Sequence, residues 1–320
     1  MSTNIKLGIV LPSFNEELII DESIKLVSEQ VSMLIRSGEI ADAIVCVVDD
    51  GSSDNTWENI ISASKYISTK IEAIKLSRNY GHQNALISGI RHLSGKTDCI
   101  ITIDADLEQD VTKFNEFIKK YKEGSDVVLG IRNDRFNDSF FKKITANLYF
   151  SLTKLFGMNL EKNHADYRLI SSKVAEELNS YSEVNLFLRG IVVNMGYAVS
   201  KVYFDVKKIR GRKTRYSFLK MINLGIDSIT SFTIVPLRVA SFIGLIVIMF
   251  SLIMILYTFI SKLFFNIDAP GWASTVLPIY FIGGINLLFL GIIGEYVGKI
   301  FLEVKKRPAN IIKEIFKNKV

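Results

Sequence analysis

The sequence Cys99-Ile100-Ile101-Thr102-Ile103-Asp104-Ala105-Asp106 is an apolar run that ends in two carboxylates one residue apart. The apolar part has the composition of a buried strand. An isolated pair of acidic residues after a strand is most often part of a solvated loop. Carboxylate oxygens also suit Mg²⁺ or Mn²⁺, which bind through one or two side chains and keep coordination positions for substrate phosphates. The rest of the chain decides between these two interpretations.

Short apolar or β-branched runs recur along the first part of the chain, and patterns typical of helices lie between the first four of them. The runs are residues 6–11, 43–48, 71–76, 99–103 and 126–130. Alternating strands and helices predict an α/β domain with a mostly parallel sheet. In such sheets ligands bind at the carboxyl ends of the strands. Polar segments follow the first four runs at 12–16, 49–54, 77–79 and 104–106, so the sequence predicts one site at that edge.

Two segments without charged residues, 239–261 and 269–294, are each long enough to cross a bilayer core, which takes roughly 20 helical residues. They predict a transmembrane hairpin, with a pair of buried helices in a soluble core as the alternative. Lysine and arginine are concentrated before the first segment and after the second, and the connection contains Lys262 alone. This distribution predicts that both flanks are cytoplasmic. The first ten residues lack the features of a secretory signal, so we expect the amino-terminal domain to stay in the cytoplasm.

The net charge is +6 and the pI is about 9.1. No nucleic-acid-binding motif accompanies this charge, so we expect anionic lipid and phosphorylated substrates, and no nucleic acid, as its partners. Cys46 and Cys99 lie in separate apolar runs, which favours buried reduced thiols over a disulfide or a metal site.

Four segments follow one another in a fixed order. They are Pro12-x-x-Asn15-Glu16, Val48-Asp49-Asp50-Gly51-Ser52-Ser53-Asp54-Asn55-Thr56, Leu76-Ser77-Arg78-Asn79-Tyr80-Gly81-His82-Gln83 and Asp104-Ala105-Asp106-Leu107. In this order they resemble the successive signatures of family 2 inverting glycosyltransferases. The branch of polyprenyl-phosphate sugar transferases is the most similar, including bactoprenol glucosyltransferases and dolichyl-phosphate mannose synthases. The resemblance spans nearly the whole chain.

The resemblance implies a fold and a place in the cell. The expected fold is a Rossmann-like GT-A domain with a mostly parallel sheet, followed by interfacial helices and a two-helix transmembrane hairpin. The expected divisions are a glycosyltransferase domain at 1–215, an interfacial amphipathic helix at 216–234, two spans within 235–302 (about 236–262 and 272–298) and a cytoplasmic basic tail at 303–320. The protein is then a multi-pass protein of the bacterial plasma (inner) membrane, with the catalytic domain and both termini in the cytoplasm.

The resemblance also implies roles for particular residues. Asp104 and Asp106 would bind the donor diphosphate through Mg²⁺ or Mn²⁺, with Asp106 the first choice for direct coordination. Asp166 would act as a base or as an acceptor-positioning group, although pairing with Arg168 or capping a turn explains it equally well. The donor-binding candidates are Pro12, Asn15, Glu16, Asp50 and Arg78. The candidates for the acceptor phosphate are Arg132, Arg135, Arg210, Arg212 and Arg215; for Arg210 and Arg212, nonspecific contact with lipid headgroups is the alternative.

Two segments depart from the family pattern. In Leu107-Glu108-Gln109-Asp110-Val111 a glutamine–aspartate pair is displaced by one residue and the prolines of many relatives are absent, and Gly211 stands one position early in the basic segment before the membrane. A family role for the displaced pair is therefore not carried over to this chain.

The expected reaction is transfer of one hexose from a nucleotide-diphosphate sugar, with UDP-glucose favoured, to undecaprenyl phosphate or a similar polyprenyl phosphate. The product would supply lipid-linked sugar for cell-surface glycan modification. The alternatives are a mannosyl or amino-sugar donor, a processive polysaccharide synthase and a non-catalytic membrane scaffold. A synthase is disfavoured because the two tryptophans, Trp57 and Trp272, lie outside the Gln-x-x-Arg-Trp context that it requires. Membrane lipids, a second copy of the chain, a downstream flippase and a second transferase are further candidate partners.

Overall fold

The computed structural model describes residues 4–106, 108–133, 161, 163–181, 183, 188–206, 234–265 and 271–318. Within these residues the strands are β1 (Lys6–Ser13), β2 (Asp42–Asp49), β3 (Lys70–Leu76), β4 (Cys99–Thr102), β5 (Val127–Arg132), β6 (His164–Ser171), β7 (Val199–Phe204) and β8 (Ile312–Lys317). The helices are α1 (Ile20–Arg36), α2 (Thr56–Ala63), α3 (His82–Leu93), α4 (Phe114–Lys122), α5 (Ser172–Ser180), α6 (Leu188–Asn194), α7 (Val235–Phe265) and α8 (Trp272–Val304).

The strands form one mixed sheet in the order β7-β5-β6-β4-β1-β2-β3-β8. The central strands β4, β1, β2 and β3 are parallel, with Val10 of β1 opposite both Cys46 of β2 and Thr102 of β4. β7 is parallel to β5, whereas β6 is antiparallel to both of its neighbours and β8 is antiparallel to β3. The five predicted strands correspond to β1–β5, which confirms the mostly parallel α/β fold.

Helices cover both faces of the sheet. The buried residues of α1 recur at helical spacing, with Ile20, Ile24, Val27 and Val31 at 1% exposure or less, and they share one core with α2 and α4. On the other face, α3 packs against β1 and β2. Gly89 allows α3 to lie this close to the sheet, because a side chain at this position would collide with Val10. Strands covered on both faces explain why the central runs are apolar throughout.

The chain returns to the sheet after α8. In β8, Ile315 lies opposite Ile74 of β3, and the Ser77 backbone N–H donates to the Ile311 carbonyl at 2.9 Å. Beyond β8, Asn318 Oδ1 accepts from the Ile71 backbone N–H at 2.8 Å. Its Nδ2 donates to the carbonyl oxygens of Ser64 and Thr69, which lie between α2 and β3. The segment 303–320, expected as a separate basic tail, therefore contains an edge strand of the sheet.

Glu72 of β3 is buried and carries several basic partners. His92 of α3 lies 2.5 Å from the Glu72 carboxylate, Lys96 lies 3.3 Å away and Lys317 of β8 lies 3.6 Å away. A buried carboxylate needs such partners, because its desolvation is otherwise costly. The ion pair with Lys317 ties β8 to the sheet in addition to the strand pairing.

α7 and α8 differ from the other helices because their apolar side chains are exposed, with Phe242 at 64% and Leu287 at 72%. Val235–Met254 and Phe281–Val304 have mean hydropathies of 2.4 and 1.6, so by length and composition both helices could cross a membrane. The predicted spans fall on these two helices. They belong to a compact unit, Tyr216–Lys305, distinct from the unit that contains the sheet, Met1–Arg215 with Lys306–Val320. The interfacial helix expected at 216–234 lies, apart from Ile234, outside the described residues.

Candidate active site

The loops that follow β1 and β2 are joined by hydrogen bonds. The Asn15 backbone N–H donates to Ser52 Oγ at 2.9 Å, and Asn15 Oδ1 accepts from the Ser53 backbone N–H at 2.9 Å. The Glu16 backbone N–H donates to Thr56 Oγ1 at 2.8 Å. Asn15 has φ +53°, a left-handed conformation that asparagine adopts more readily than most residues. The two loops thus hold Asn15 and Glu16 at the carboxyl edge of the sheet.

Asp50, directly after β2, holds the loop that follows β3. Its two carboxylate oxygens accept from the Tyr80 N–H at 2.7 Å and from the Gly81 N–H at 2.8 Å. Asp50 is 3% exposed, and this burial raises its pKa above the ordinary value, against the opposing effect of the two N–H donors. The geometry identifies Asp50 as an organiser of the β3 loop, because both oxygens are engaged by backbone.

The loop that follows β3 also packs closely against Gly51. A side chain at Gly51 would place its Cβ 2.4 Å from the carbonyl carbon of Arg78, and Gly51 has φ +69°. Arg78 itself is exposed, and its guanidinium lies over the Tyr80 ring at 4.4 Å from the centroid. A guanidinium stacked on an aromatic ring is restricted in its orientation. The β3 loop thus presents a preoriented positive charge next to the Asp50 loop.

Asp104 follows β4 and forms a paired contact with Gln109. The Asp104 backbone N–H donates to Gln109 Oε1 at 3.0 Å, and Gln109 Nε2 donates to Asp104 Oδ2 at 2.6 Å. Within the described residues the second oxygen, Oδ1, is buried without a hydrogen bond. Burial raises the pKa of Asp104 to about 6. Asp106 turns back on the same loop, with its Oδ1 accepting from the Glu108 N–H at 3.1 Å.

Asp166 of β6 is buried between two arginines. Arg189 of α6 donates from Nε to Oδ1 at 3.1 Å and from Nη2 to Oδ2 at 2.7 Å. Arg168, which is fully buried on the same strand, donates from Nη2 to Oδ1. Burial alone would raise the pKa of Asp166, but Arg189, His82 and Arg168 together hold that pKa well below its ordinary value. A carboxylate with so low a pKa is a poor proton acceptor near neutral pH.

His82, the first residue of α3, connects the two acidic positions. Its Nε2 lies 3.4 Å from Asp104 Oδ1 and 3.5 Å from Asp166 Oδ2. Burial lowers the pKa of His82, but the two carboxylates outweigh burial and raise it above the ordinary value. His82 follows Gly81 directly. The loop that Asp50 holds therefore leads straight into the histidine that contacts Asp104 and Asp166.

The acidic pair fits a divalent cation through its chemistry. The described residues contain no group of three or more His, Cys, Asp or Glu side chains placed to hold a metal by themselves. Mg²⁺ and Mn²⁺ are commonly held by one or two carboxylates together with substrate phosphates and water. The buried Asp104 Oδ1, which has no hydrogen bond within the described part of the chain, is an oxygen suited to such a cation. Asp106 would supply the second carboxylate.

The structure brings most of the predicted residues to one edge. Pro12 is buried near the end of β1, and the loops with Asn15, Glu16, Asp50, Arg78, Asp104 and Asp106 all follow parallel strands. Arg132 ends β5, and within the described residues its buried Nε has no hydrogen-bond partner. Arg135, Arg210, Arg212 and Arg215 lie outside the described residues.

The sequence does not predict a role for three residues of this site: His82, Gln109 and Arg189. His82 lies inside one of the quoted motifs, which was the available signal. Gln109 belongs to the displaced pair, and its contact with Asp104 shows that the displacement still brings the amide to the metal motif. Arg189 gives no signal in the sequence, because its partner Asp166 is brought to it by folding.

Comparison with known proteins agrees with this arrangement. Residues 8–178 match the family described as Glycosyl transferase family 2. The uncharacterized glycosyltransferase YkoT of Bacillus subtilis is 42% identical over 303 residues, covering 94% of this chain and 89% of YkoT. The SfII prophage-derived bactoprenol glucosyl transferase of Shigella flexneri is 35% identical, covering 97% of this chain and 98% of that protein.

A solved structure gives a weaker match. The mannosyltransferase PcManGT from Pyrobaculum calidifontis, in complex with GDP-Man and Mn²⁺, has a TM-score of 0.46 and 16% identity, covering 65% of this chain and 59% of PcManGT. The family match extends over more than half of the chain and includes most of β1, all of β2–β6, and Asp104, Asp106 and Asp166. On this evidence the chain belongs to glycosyl transferase family 2 and is a glycosyltransferase.

Proposed function

We propose that this enzyme transfers one hexose, with glucose favoured, from a nucleotide-diphosphate sugar to a polyprenyl phosphate at the cytoplasmic face of a bacterial plasma membrane. The observation that carries the proposal is the acidic cluster at the carboxyl edge, where Asp104 keeps a buried oxygen without a hydrogen bond within the described residues. Similarity to bactoprenol glucosyl transferases over nearly the whole chain supports the choice of sugar and acceptor.

The loops that follow β1, β2 and β3 would bind the nucleotide. Asn15, Glu16 and Pro12 lie beside the Asp50 loop, and Arg78 provides positive charge for a diphosphate. Rigid loops reduce the entropy lost when a ligand binds. UDP-glucose is the favoured donor; a GDP-mannose or amino-sugar donor is the alternative.

The reaction would proceed with inversion. An oxygen of the lipid phosphate attacks the anomeric carbon as the bond from that carbon to the nucleoside diphosphate breaks. When bound at Asp104 and Asp106, a divalent cation would neutralise the negative charge of the departing nucleoside diphosphate without a proton transfer.

No strong base is required, because a phosphate monoester of this kind is already ionised at neutral pH. This agrees with the state of Asp166, whose two arginine partners hold its pKa low. Of the two roles considered for Asp166, the geometry supports positioning.

The apolar surfaces of α7 and α8 support a membrane location. Exposed apolar surface as extensive as that of these helices is unusual on soluble proteins. The basic flanks support the orientation with both termini in the cytoplasm. Topology reporters fused at Asn4 and after residue 320 are expected to report cytoplasm, and one inserted at 268–269 the opposite side. A cytoplasmic signal from 268–269 would contradict a spanning hairpin.

The transferase proposal is tested with purified full-length protein, UDP-glucose, Mn²⁺ and undecaprenyl phosphate. We expect a product with one sugar, no polymer, and loss of turnover in EDTA. Thermal-shift assays with UDP-glucose and GDP-mannose identify the donor, because the bound sugar nucleotide stabilises the fold by mass action.

Asp106→Asn should lower kcat by roughly 100-fold or more, since it removes a charge at nearly constant shape. Asp98→Asn is the matched control, because Asp98 precedes the same strand at its opposite end, where its Oδ2 accepts from the Lys6 N–H at 2.7 Å. Equal turnover by both variants, or turnover that persists in EDTA, would remove the metal from the proposal.

A further inference from the structure

Arg189 and Asp166 form a forked pair with an asymmetric environment. Two guanidinium nitrogens, Nε and Nη2, donate to the two oxygens of Asp166 at 3.1 and 2.7 Å. The Asp166 side chain is 7% exposed, whereas that of Arg189 is 39% exposed. A two-point contact fixes the plane and direction of a guanidinium more firmly than a single contact does. The buried carboxylate therefore holds a partly exposed arginine in one orientation.

Asp166 contacts a second arginine besides Arg189. The fully buried Arg168 already contacts Asp166 Oδ1 and is sufficient to neutralise it. Arg189 adds a second positive charge to the same carboxylate. Of the two arginines, Arg189 is the more exposed, at 39% against 1% for Arg168.

The Arg189–Asp166 pair lies close to the candidate metal site. His82 Nε2 is within 3.5 Å of both Asp104 and Asp166, so one imidazole ring separates the arginine pair from the metal-binding carboxylate. An anion that is bound by a cation at Asp104 and Asp106 would be within reach of a guanidinium at this position. Phosphate oxygens match the fork of a guanidinium in geometry and charge.

We infer that Arg189 binds a phosphate group of one of the two substrates, and that Asp166 is its positioning residue. The inference rests on the proposed function and adds to it a residue for phosphate recognition and a role for Asp166. Two phosphate groups are available, that of the lipid acceptor and the diphosphate of the donor. The experiment distinguishes these two sources.

The test uses the full chain in detergent. Steady-state kinetics are measured with polyprenyl phosphate and UDP-glucose varied separately, and UDP binding with Mn²⁺ is measured by calorimetry. If Arg189 meets the acceptor, Arg189→Ala should raise the KM for polyprenyl phosphate roughly 10- to 100-fold with UDP affinity unchanged. If it meets the diphosphate, UDP affinity should fall by a similar factor.

Three further variants separate phosphate binding from a structural role. Arg189→Lys keeps the charge but loses the fork, so it should recover part of the lost affinity. Asp166→Asn should raise the same constant as Arg189→Ala, and the double variant should be little worse than Arg189→Ala alone. Arg91→Ala is the matched control, since Arg91 of α3 donates to the Tyr181 carbonyl and lies outside this cluster; its kinetics should be those of the wild type.

The inference is overturned if folded Arg189→Ala keeps both constants within twofold of the wild type, or if it changes the melting temperature alone. Should Arg189→Ala fail to fold, Arg189→Lys decides: wild-type constants for that variant overturn the inference, and a selective change in one constant supports it. If the wild type binds UDP but transfers no sugar to polyprenyl phosphate, the proposed acceptor is wrong, and the calorimetric comparison still tests Arg189 at the diphosphate.

Discussion

Gly51→Ala should damage both stability and nucleotide binding, for two separable reasons. The first is the backbone: Gly51 has φ +69°, where a residue with a Cβ pays about 1–2 kcal/mol. The second is the contact: the new Cβ would lie 2.4 Å from the Arg78 carbonyl carbon and 2.6 Å from its Cα. Ordinary contact between carbon atoms is about 3.5 Å or more, so the Arg78 backbone must move by roughly 1 Å. Overpacking of this kind costs typically about 1–3 kcal/mol beyond the backbone term.

Gly38→Ala is the matched control. Gly38 has φ +73°, but a Cβ there would meet nothing within 4 Å, so this variant has the backbone cost alone. The difference between the two variants therefore measures the contact with Arg78. For a domain of this size about 1 kcal/mol corresponds to roughly 2–4 °C in melting temperature. We expect Gly51→Ala to melt roughly 2 to 12 °C below Gly38→Ala.

Movement of the Arg78 backbone should also disturb the loop that Asp50 holds through Tyr80 and Gly81. We expect the affinity for UDP to fall at least about tenfold in Gly51→Ala, equivalent to about 1.4 kcal/mol, and to stay unchanged in Gly38→Ala. The measurements are thermal unfolding and calorimetry on the full chain with Mn²⁺. Equal melting temperatures and equal UDP affinities for the two variants would refute the argument from the close contact.

Three other predictions concern residues away from the site. Burial raises the pKa of the Cys46 and Cys99 thiols, so the folded protein should resist iodoacetamide at pH 8 while the urea-unfolded chain takes two labels; labelling of the folded state would contradict their burial. Asn318→Ala should lower stability by about 1–3 kcal/mol, seen as a lower melting temperature, because the Ile71 backbone N–H loses its acceptor. Burial raises the pKa of Glu72, but His92 and the neighbouring lysines outweigh burial and hold this pKa below its ordinary value. The ionised carboxylate therefore stabilises the fold fully above about pH 4.3, the pKa in the unfolded chain. This stabilisation is lost as the pH falls through the lower pKa of the folded state. The melting temperatures of wild type and Glu72→Gln should therefore differ at pH 7 and converge on acidification; a constant difference would count against the ion pair.

The sequence predicted the centre of the fold because parallel strands buried on both faces are continuous apolar runs, as at 6–11 and 99–103. β6 gave no such signal: it carries Asp166 and Arg168, whose charges are tolerated inside the sheet because they pair after folding. β8 was also missed, because its lysines and glutamate are exposed and it is held to β3 by backbone hydrogen bonds at the sheet edge.

The candidate site was predicted in part for the same reason. The acidic residues at the ends of strands are local signals, and Asp104 and Asp50 could be named from the sequence. Their partners are not local. His82 contacts one carboxylate in the loop after β4 and another on β6, and Arg189 reaches Asp166 from a later helix. Periodicity cannot predict contacts of this kind, because they depend on tertiary packing.

The position of β8 after α8 has a consequence for how the protein is made. The last strand of the sheet is translated after both apolar helices, so the catalytic domain cannot complete its fold while the ribosome is still synthesising the chain up to Val304. Until then β3 is an edge strand with unpaired backbone groups, a state that favours aggregation. The same order means that a stop codon ahead of α7 does not release a whole domain. A soluble version would have to join residues near 215 directly to residues near 306, so that Ile312–Lys317 still reaches β3.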